Sequence, residues 1–207
     1  MDPTAKPVRV LGIDPGTHVC GWGVVARDGA RLTALGYGTV RAPSTAPIER
    51  RLAVIAGGLR EVVARYAPGS AAIEEAFFGR DVRAAIRIGE GRGAALVVLA
   101  EAGLSVTGYA NNVVKRAVAG AGRAGKTSVH AMTKAILGLA TITGPLDASD
   151  ALALAICHHH ALSAGAAVGR AAPPGRLAPR IEAAIAAQRA ADLAKDRAVR
   201  VARRAKA

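Results

Sequence analysis

Apolar residues come first in short alternating or continuous runs and later at helical intervals, so the chain is expected to start as a sheet. Residues Val8 to Asp14 predict a buried strand. GWGVVAR (21–27) and LTALGYGTVRA (32–42) predict two more, with turns at Asp28-Gly29 and at Gly36 to Gly38. Strands this closely spaced predict an antiparallel meander. Pro47 then opens a helical pattern in which Ile48, Leu52, Ile55, Leu59, Val62 and Val63 recur on one side. A strand at AAIEE (71–75), a helix from about Val82 to Ala102 and a strand at LSVTGYA (104–110) follow. A Gly-rich loop between Ala119 and Gly125 then leads to helices near Thr127 to Leu139 and Asp147 to His160. The order β-β-β-α-β-α-β-α predicts a mixed α/β plan, antiparallel in its first half and built of βα crossovers afterwards.

Four carboxylates break this pattern: Asp14, Glu74, Asp147 and Asp150 sit at the ends of apolar segments or on the face of one. Burying a charge there costs several kcal/mol unless it is paired or binds a cation. If the strand ending at Asp14 runs parallel beside the strand ending at Glu74, their carboxyl ends share one sheet edge, where α/β folds place their sites. Asp147 and Asp150, at i and i+3, project from one helix face. Taken alone, Asp147 also reads as a helix N-cap after Gly144-Pro145. The acids at the strand ends favour the metal reading, and Mg²⁺ suits it as a hard cation that takes carboxylate oxygens and engages phosphates. Glu75 points to the other face of its strand, which leaves Glu74 as the site residue.

With 207 residues, 51% of them hydrophobic, the chain can bury one good core, and a formal charge of +13 predicts a polyanionic partner, nucleic acid above all. The charge is uneven. Residues 1–160 carry 18 Lys and Arg against 12 Asp and Glu, while residues 161–207 carry 10 against 3. We expect a folded domain over 1–162 and a basic Ala/Arg-rich tail over 163–207, flexible or helical behind the breaker cluster AAPPGRLAPR. Cys20 and Cys157 make no disulfide framework, no signal peptide is visible in MDPTAKPVRV, and the apolar runs are too short for a membrane span. A soluble cytoplasmic protein with no membrane partner is expected.

Several motifs carry two readings. GAGRAGKT (120–127) fits the Walker A pattern letter for letter, but no apolar strand ending in Asp follows to hold its metal. We read it as a DNA-facing loop with Lys115 and Lys126 on phosphates, and expect no nucleotide. Phe77 and Phe78 are either wedges between unstacked bases or core residues. Arg80, Arg83 and Arg87 form either a solvated helix face or a phosphate track. Gly89 and Gly93 permit close approach of a second helix, which suggests a dimer contact. Trp22 reads as strand packing. His158 ends a helix, eight residues beyond Asp150 and on a similar face.

GIDPGT with Gly21 and Gly23 close behind, AIEEAFF, YANNVVKRAVAGAGRAGKTSVHAM and DASDALALAICH, in that order and spacing, resemble the RuvC family of bacterial Holliday-junction resolvases. The resemblance implies an RNase H-like α/β fold, with a mixed sheet of three antiparallel strands, then parallel βα units, and helices on both faces. It further implies a homodimer that cuts four-way DNA junctions by paired, Mg²⁺-dependent nicks and works with the RuvA and RuvB branch-migration complex. The family's acidic positions fall on Asp14, Glu74, Asp147 and Asp150, its basic loop positions on Lys115 and Lys126, and its junction aromatic on Phe77. Hydrolysis of this kind suits two cations roughly 4 Å apart, with Mn²⁺ able to substitute, and leaves 5′-phosphate and 3′-hydroxyl ends. A noncatalytic junction-binding protein and a different RNase H-like nuclease are the alternatives. Nothing carries over to residues 163–207.

Overall fold

Strand β1 (Val8–Asp14) is central because both of its faces are apolar: Val10, Leu11 and Ile13 are wholly buried. The structure is a computed structural model that describes residues 7–75 and 82–167. The remaining elements are β2 (Val19–Asp28), β3 (Arg31–Arg41), α1 (Ile48–Tyr66), β4 (Ser70–Glu74), α2 (Val82–Glu101), β5 (Ser105–Tyr109), α3 (Asn111–Ala119), α4 (Lys126–Ile136) and α5 (Leu146–Ala167). The five strands lie in the order β3-β2-β1-β4-β5. The first three form the expected antiparallel meander, and β1, β4 and β5 run parallel, with Ile13 opposite Ile73 and Glu74 opposite Tyr109.

Strand alternation sorts the core onto the two faces of this sheet. Leu11, Ile13, Val24, Ala71 and Ile73 pack with α1 and α2, whereas Val10, Val25 and Ala72 pack with α3, α4 and α5. Asp14 and Glu74 have the parity of Val10 and Ala72 and therefore belong to the α5 side. Glu75 has the parity of Ile73 and belongs to the other.

Two features differ from the sequence expectation. Gly36 to Gly38 is no turn but the middle of β3, where the glycines leave room for larger partners. A Cβ at Gly36 would overlap the Tyr66 hydroxyl, and one at Gly38 would press on the Trp22 ring at 3.3 Å. The ladder slips at this point, since Val24 pairs with Gly36 and Val25 with Ala34, which leaves Leu35 as the extra residue of a bulge. The second feature is α3, a helix the sequence reading left out. Its polar start and two cations hide a pattern of only two buried positions, Val114 and Val118.

Trp22 packs tilted against Tyr66 at 5.7 Å, as strand packing requires. Cys20 and Cys157 are free and buried, and burial pushes their thiols up to about 12 and about 11, so neither is a ready nucleophile or metal ligand. Among the described residues no helix is long and apolar enough to cross a membrane. Helix α5 runs through the compositional change at residue 162 to Ala167. The rest of the proposed tail lies outside the described residues.

Candidate active site

Helix α5 reaches the site because three glycines beneath it have no side chains. A Cβ on Gly12 would overlap the Ala151 carbonyl, one on Gly21 would overlap the Asp147 carbonyl, and one on Gly23 would come within 2.8 Å of the Leu152 side chain. Close packing tolerates no such overlap, so the helix backbone rests almost directly on β1 and β2. This descent carries Asp147 and Asp150, in the first turns of α5, to the carboxyl end of β1. On the other face Gly91 of α2 plays a similar part, since a Cβ there would lie 2.8 Å from the Gly16 carbonyl carbon in the loop after Asp14.

The four carboxylates thus act on one another. Burial pushes Asp14 up to about 8, helped by the charges of Glu74 and Asp150, by a side-chain hydrogen bond with Glu74 and by the charge of Asp147. Asp150 is also raised, mainly by burial; Lys126 and His130 oppose the shift while Glu74 and Asp147 add to it. Glu75 is not among the groups acting on Asp14; it lies against Gly108 of β5 and lines a cleft together with Asp14 and Glu74.

Hydrogen bonds fix the surroundings. Asn111 Nδ2 donates to Glu74 Oε1 at 2.8 Å, and Arg92 Nε donates to the Glu74 carbonyl at 3.2 Å. His130 Nδ1 and Ser149 Oγ pair at 2.9 Å, tying α4 to the turn of α5 that carries Asp150. Lys115 and Lys126 line one cavity with Glu74 and Asp150, about 40 Å³ in volume, which has room for a few waters or ions.

Other residues singled out in the sequence fall into three groups. Arg87 is exposed and lines a shallow groove with Gly16, Thr17 and His18, beside the loop that follows Asp14. Arg83 lies in the first turn of α2, although its side chain is outside the described part, as are Phe77, Phe78 and Arg80. His158 is committed elsewhere: it is buried and pairs with the Tyr109 hydroxyl at 2.8 Å and Ser70 Oγ at 3.1 Å, bracing α5 to β5 and β4. Asn111 and His130 were missed, although each follows a usable signal. Asn111 comes two residues after the strand partner of Glu74, and His130 is one helical turn beyond Lys126.

The GAGRAGKT loop joins α3 to α4. A phosphate-binding P-loop follows a strand, so this loop has the letters of that motif without its setting.

The acidic cluster fits a divalent cation on the chemistry of its donors. They are hard oxygens, and among the described residues the one ion pair is Arg60 with Glu101, so no described base forms an ion pair with any of the four acids, although Lys126 and His130 partly offset Asp150. No three acidic or histidine side chains among the described residues already form a ready coordination shell; the carboxylates are gathered but not closed on one point.

A mixed RNase H-like sheet with acids at the carboxyl ends of its parallel strands, and lysines beside them, defines the class of a metal-assisted nuclease centre. The family model described as crossover junction endodeoxyribonuclease RuvC matches residues 10–158, and the chain belongs to that family. The RuvC protein of Chloroflexus aggregans is 48% identical over 151 residues, covering 73% of this chain and 92% of the relative. That of Rhodopseudomonas palustris is 45% identical over 163 residues, covering 78% and 93%. The solved structure of Thermus thermophilus RuvC in complex with a Holliday junction substrate superposes with a TM-score of 0.72 at 37% identity, covering 76% of this chain and 96% of that one.

Proposed function

We propose that this chain is an endodeoxyribonuclease that resolves four-way DNA junctions by paired nicks, with Asp14, Glu74, Asp147 and Asp150 holding two divalent cations. Mg²⁺ is the assigned ion, with Mn²⁺ able to replace it. The observation that carries this reading is the gathering of four carboxylates from β1, β4 and α5, where burial first and the neighbouring acids after it raise Asp14 to about 8. Such a cluster is costly on its own and favourable around a cation. The substrate is carried over from the Thermus relative, which was solved with a Holliday junction.

Roles follow from position. Asp14, which feels the other three, would hold the cations together with Glu74 and Asp147, and Asp150 would hold metal or orient a water. When bound, the cations supply Lewis acidity and a water acidic enough to attack at neutral pH. Lys115 and Lys126, on the same cavity, grip the phosphate oxygens beside the scissile bond and offset their charge. Arg83, Arg87 and Phe77 take the DNA leading away from the cut. In-line attack with departure of the 3′ oxygen leaves 5′-phosphate and 3′-hydroxyl ends.

Paired nicks call for two active sites related by a two-fold axis, and so for a homodimer. Open space around Gly89 and Gly93, with Ile86 57% and Val97 54% exposed, supports α2 as the contact. We assign residues 1–162 as the nuclease domain and 163–207 as a basic arm that adds salt-sensitive attraction to DNA. Cooperation with RuvA and RuvB and a cytoplasmic location follow from the family resemblance.

The test is cleavage of a mobile four-way junction and of a linear duplex of the same sequence, with and without Mg²⁺. Symmetrical, ligatable nicks in the junction alone, and only with metal, are expected. Tight junction binding without nicking would overturn the proposal in favour of a noncatalytic binding protein. Faster cutting of an RNA:DNA hybrid than of the junction would point to another RNase H-like nuclease.

A further inference from the structure

The main chain at Glu74 is held from two sides. The Glu75 N–H donates to the Tyr109 carbonyl at 3.0 Å across the β4–β5 ladder, and Arg92 of α2 donates to the Glu74 carbonyl. The glutamate side chain is still free to turn about three bonds, and left alone it would spread over several rotamers. Asn111 restricts that freedom from the exposed side, beside the hydrogen bond with Asp14. It is the first residue of α3, two positions after Tyr109, and Tyr109 is the registered partner of Glu74, so a short rigid path joins the two side chains. Its amide nitrogen reaches Glu74 Oε1 at 2.8 Å.

The donor's chemistry matters as much as its place. A lysine or arginine here would also hold the carboxylate, but its positive charge would compete with any cation bound between Glu74 and Asp14. A neutral amide holds one oxygen and leaves the carboxylate its full negative charge, with Asp14 as its further hydrogen-bond partner. Asn111 also shares the cavity lined by Glu74, Lys115, Lys126 and Asp150, which sets it beside the reacting groups without making it one.

We infer that Asn111 is a positioning residue that presets the Glu74 carboxylate for metal. Outer hydrogen-bond partners of metal ligands typically contribute ten- to a hundredfold in metal affinity or activity, and about tenfold is expected here. The inference rests on the metal-nuclease reading above.

Three measurements on the full chain test it. Calorimetry of Mg²⁺ binding to the protein without DNA should show affinity about tenfold weaker in Asn111→Ala than in wild type. Turnover of a four-way junction should fall by a similar factor at saturating substrate, with the junction KM and the metal-free junction Kd within about twofold of wild type. Asn111→Asp keeps the shape but replaces the donor with an acceptor, and an acid in the first turn favours α3, so the fold is retained while turnover falls at least as far as in the alanine variant. Unchanged metal affinity and turnover in Asn111→Ala would overturn the inference alone. A raised KM at unchanged kcat would also overturn it and make Asn111 a DNA contact. A wild-type protein that cuts no junction in any metal would overturn the nuclease reading and the inference with it.

Discussion

On the α1/α2 side of the sheet, Leu11, Ile13 and Ile73 meet Ile55, Leu59 and Leu99, all wholly buried. On the α5 side β1 presents Gly12, and β2 presents Gly21 and Gly23, to one helix. The first arrangement fills space with large side chains and provides ordinary hydrophobic stabilisation, about 1.5–3 kcal/mol for each such residue. The second gives up that area for proximity, because only a bare strand lets α5 sink far enough to bring Asp147 and Asp150 to Asp14. The first face only supports the fold; the second shares in the core through Val10, Val25, Leu152 and Ile156 and also sets the distance between charges.

The contrast can be broken most severely at Gly12. Gly12→Ala puts a methyl group into the Ala151 carbonyl, with no flexible side chain to yield, and should cost about 4 kcal/mol or more. Chemical denaturation would show a lost or strongly shifted midpoint. On the opposite face Leu59→Ala should cost roughly 3 kcal/mol while leaving metal affinity intact, since the cavity it opens lies across the sheet from the acids. A Leu59→Ala protein with weakened metal binding would blur the division between the faces.

The acidic face should also respond to pH. Asp14 is raised from 3.8 to about 8, so the folded, metal-free protein keeps a proton that the unfolded chain loses at about 4. Its contribution to stability is complete below about pH 4 and is lost as pH rises through about 8. Unfolding free energy should therefore fall on the order of 2 kcal/mol or more across that window. Added Mg²⁺ should reverse the fall, and its binding should release protons. A flat stability profile from pH 4 to pH 8 would contradict the burial of Asp14 among the other three acids. The smallest effect is at Gly57, which lies inside α1 with open space around it: Gly57→Ala should gain about 0.5–1 kcal/mol, the reverse of the change at Gly12.

The parts of this design written in short-range pattern were legible in the sequence. The apolar run in VRVLGID marks a strand buried on both faces, and period-two logic puts Glu74 and Glu75 on opposite faces before any fold is known. Asp147 and Asp150 share a face by helical spacing alone. What pattern could not convey was how near α5 comes to the sheet, since that depends on what is missing at Gly12, Gly21 and Gly23. For the same reason Gly36 to Gly38 read as a turn: glycine marks a bend and a close approach equally well, and Tyr66 and Trp22 decide which only in three dimensions. Helix α3 escaped notice because it buries little, yet it supplies Lys115, and Asn111 at its start reaches Glu74.

The most direct test of the central claim is Asp14→Asn, measured for both junction binding and junction cleavage in Mg²⁺. The substitution keeps the size of the side chain and the whole basic surface while removing the charge that the other three acids surround. Cleavage should fall by at least about a thousandfold with junction affinity within about twofold of wild type. Cleavage near the wild-type rate would contradict the assignment of the four carboxylates as one metal-holding site.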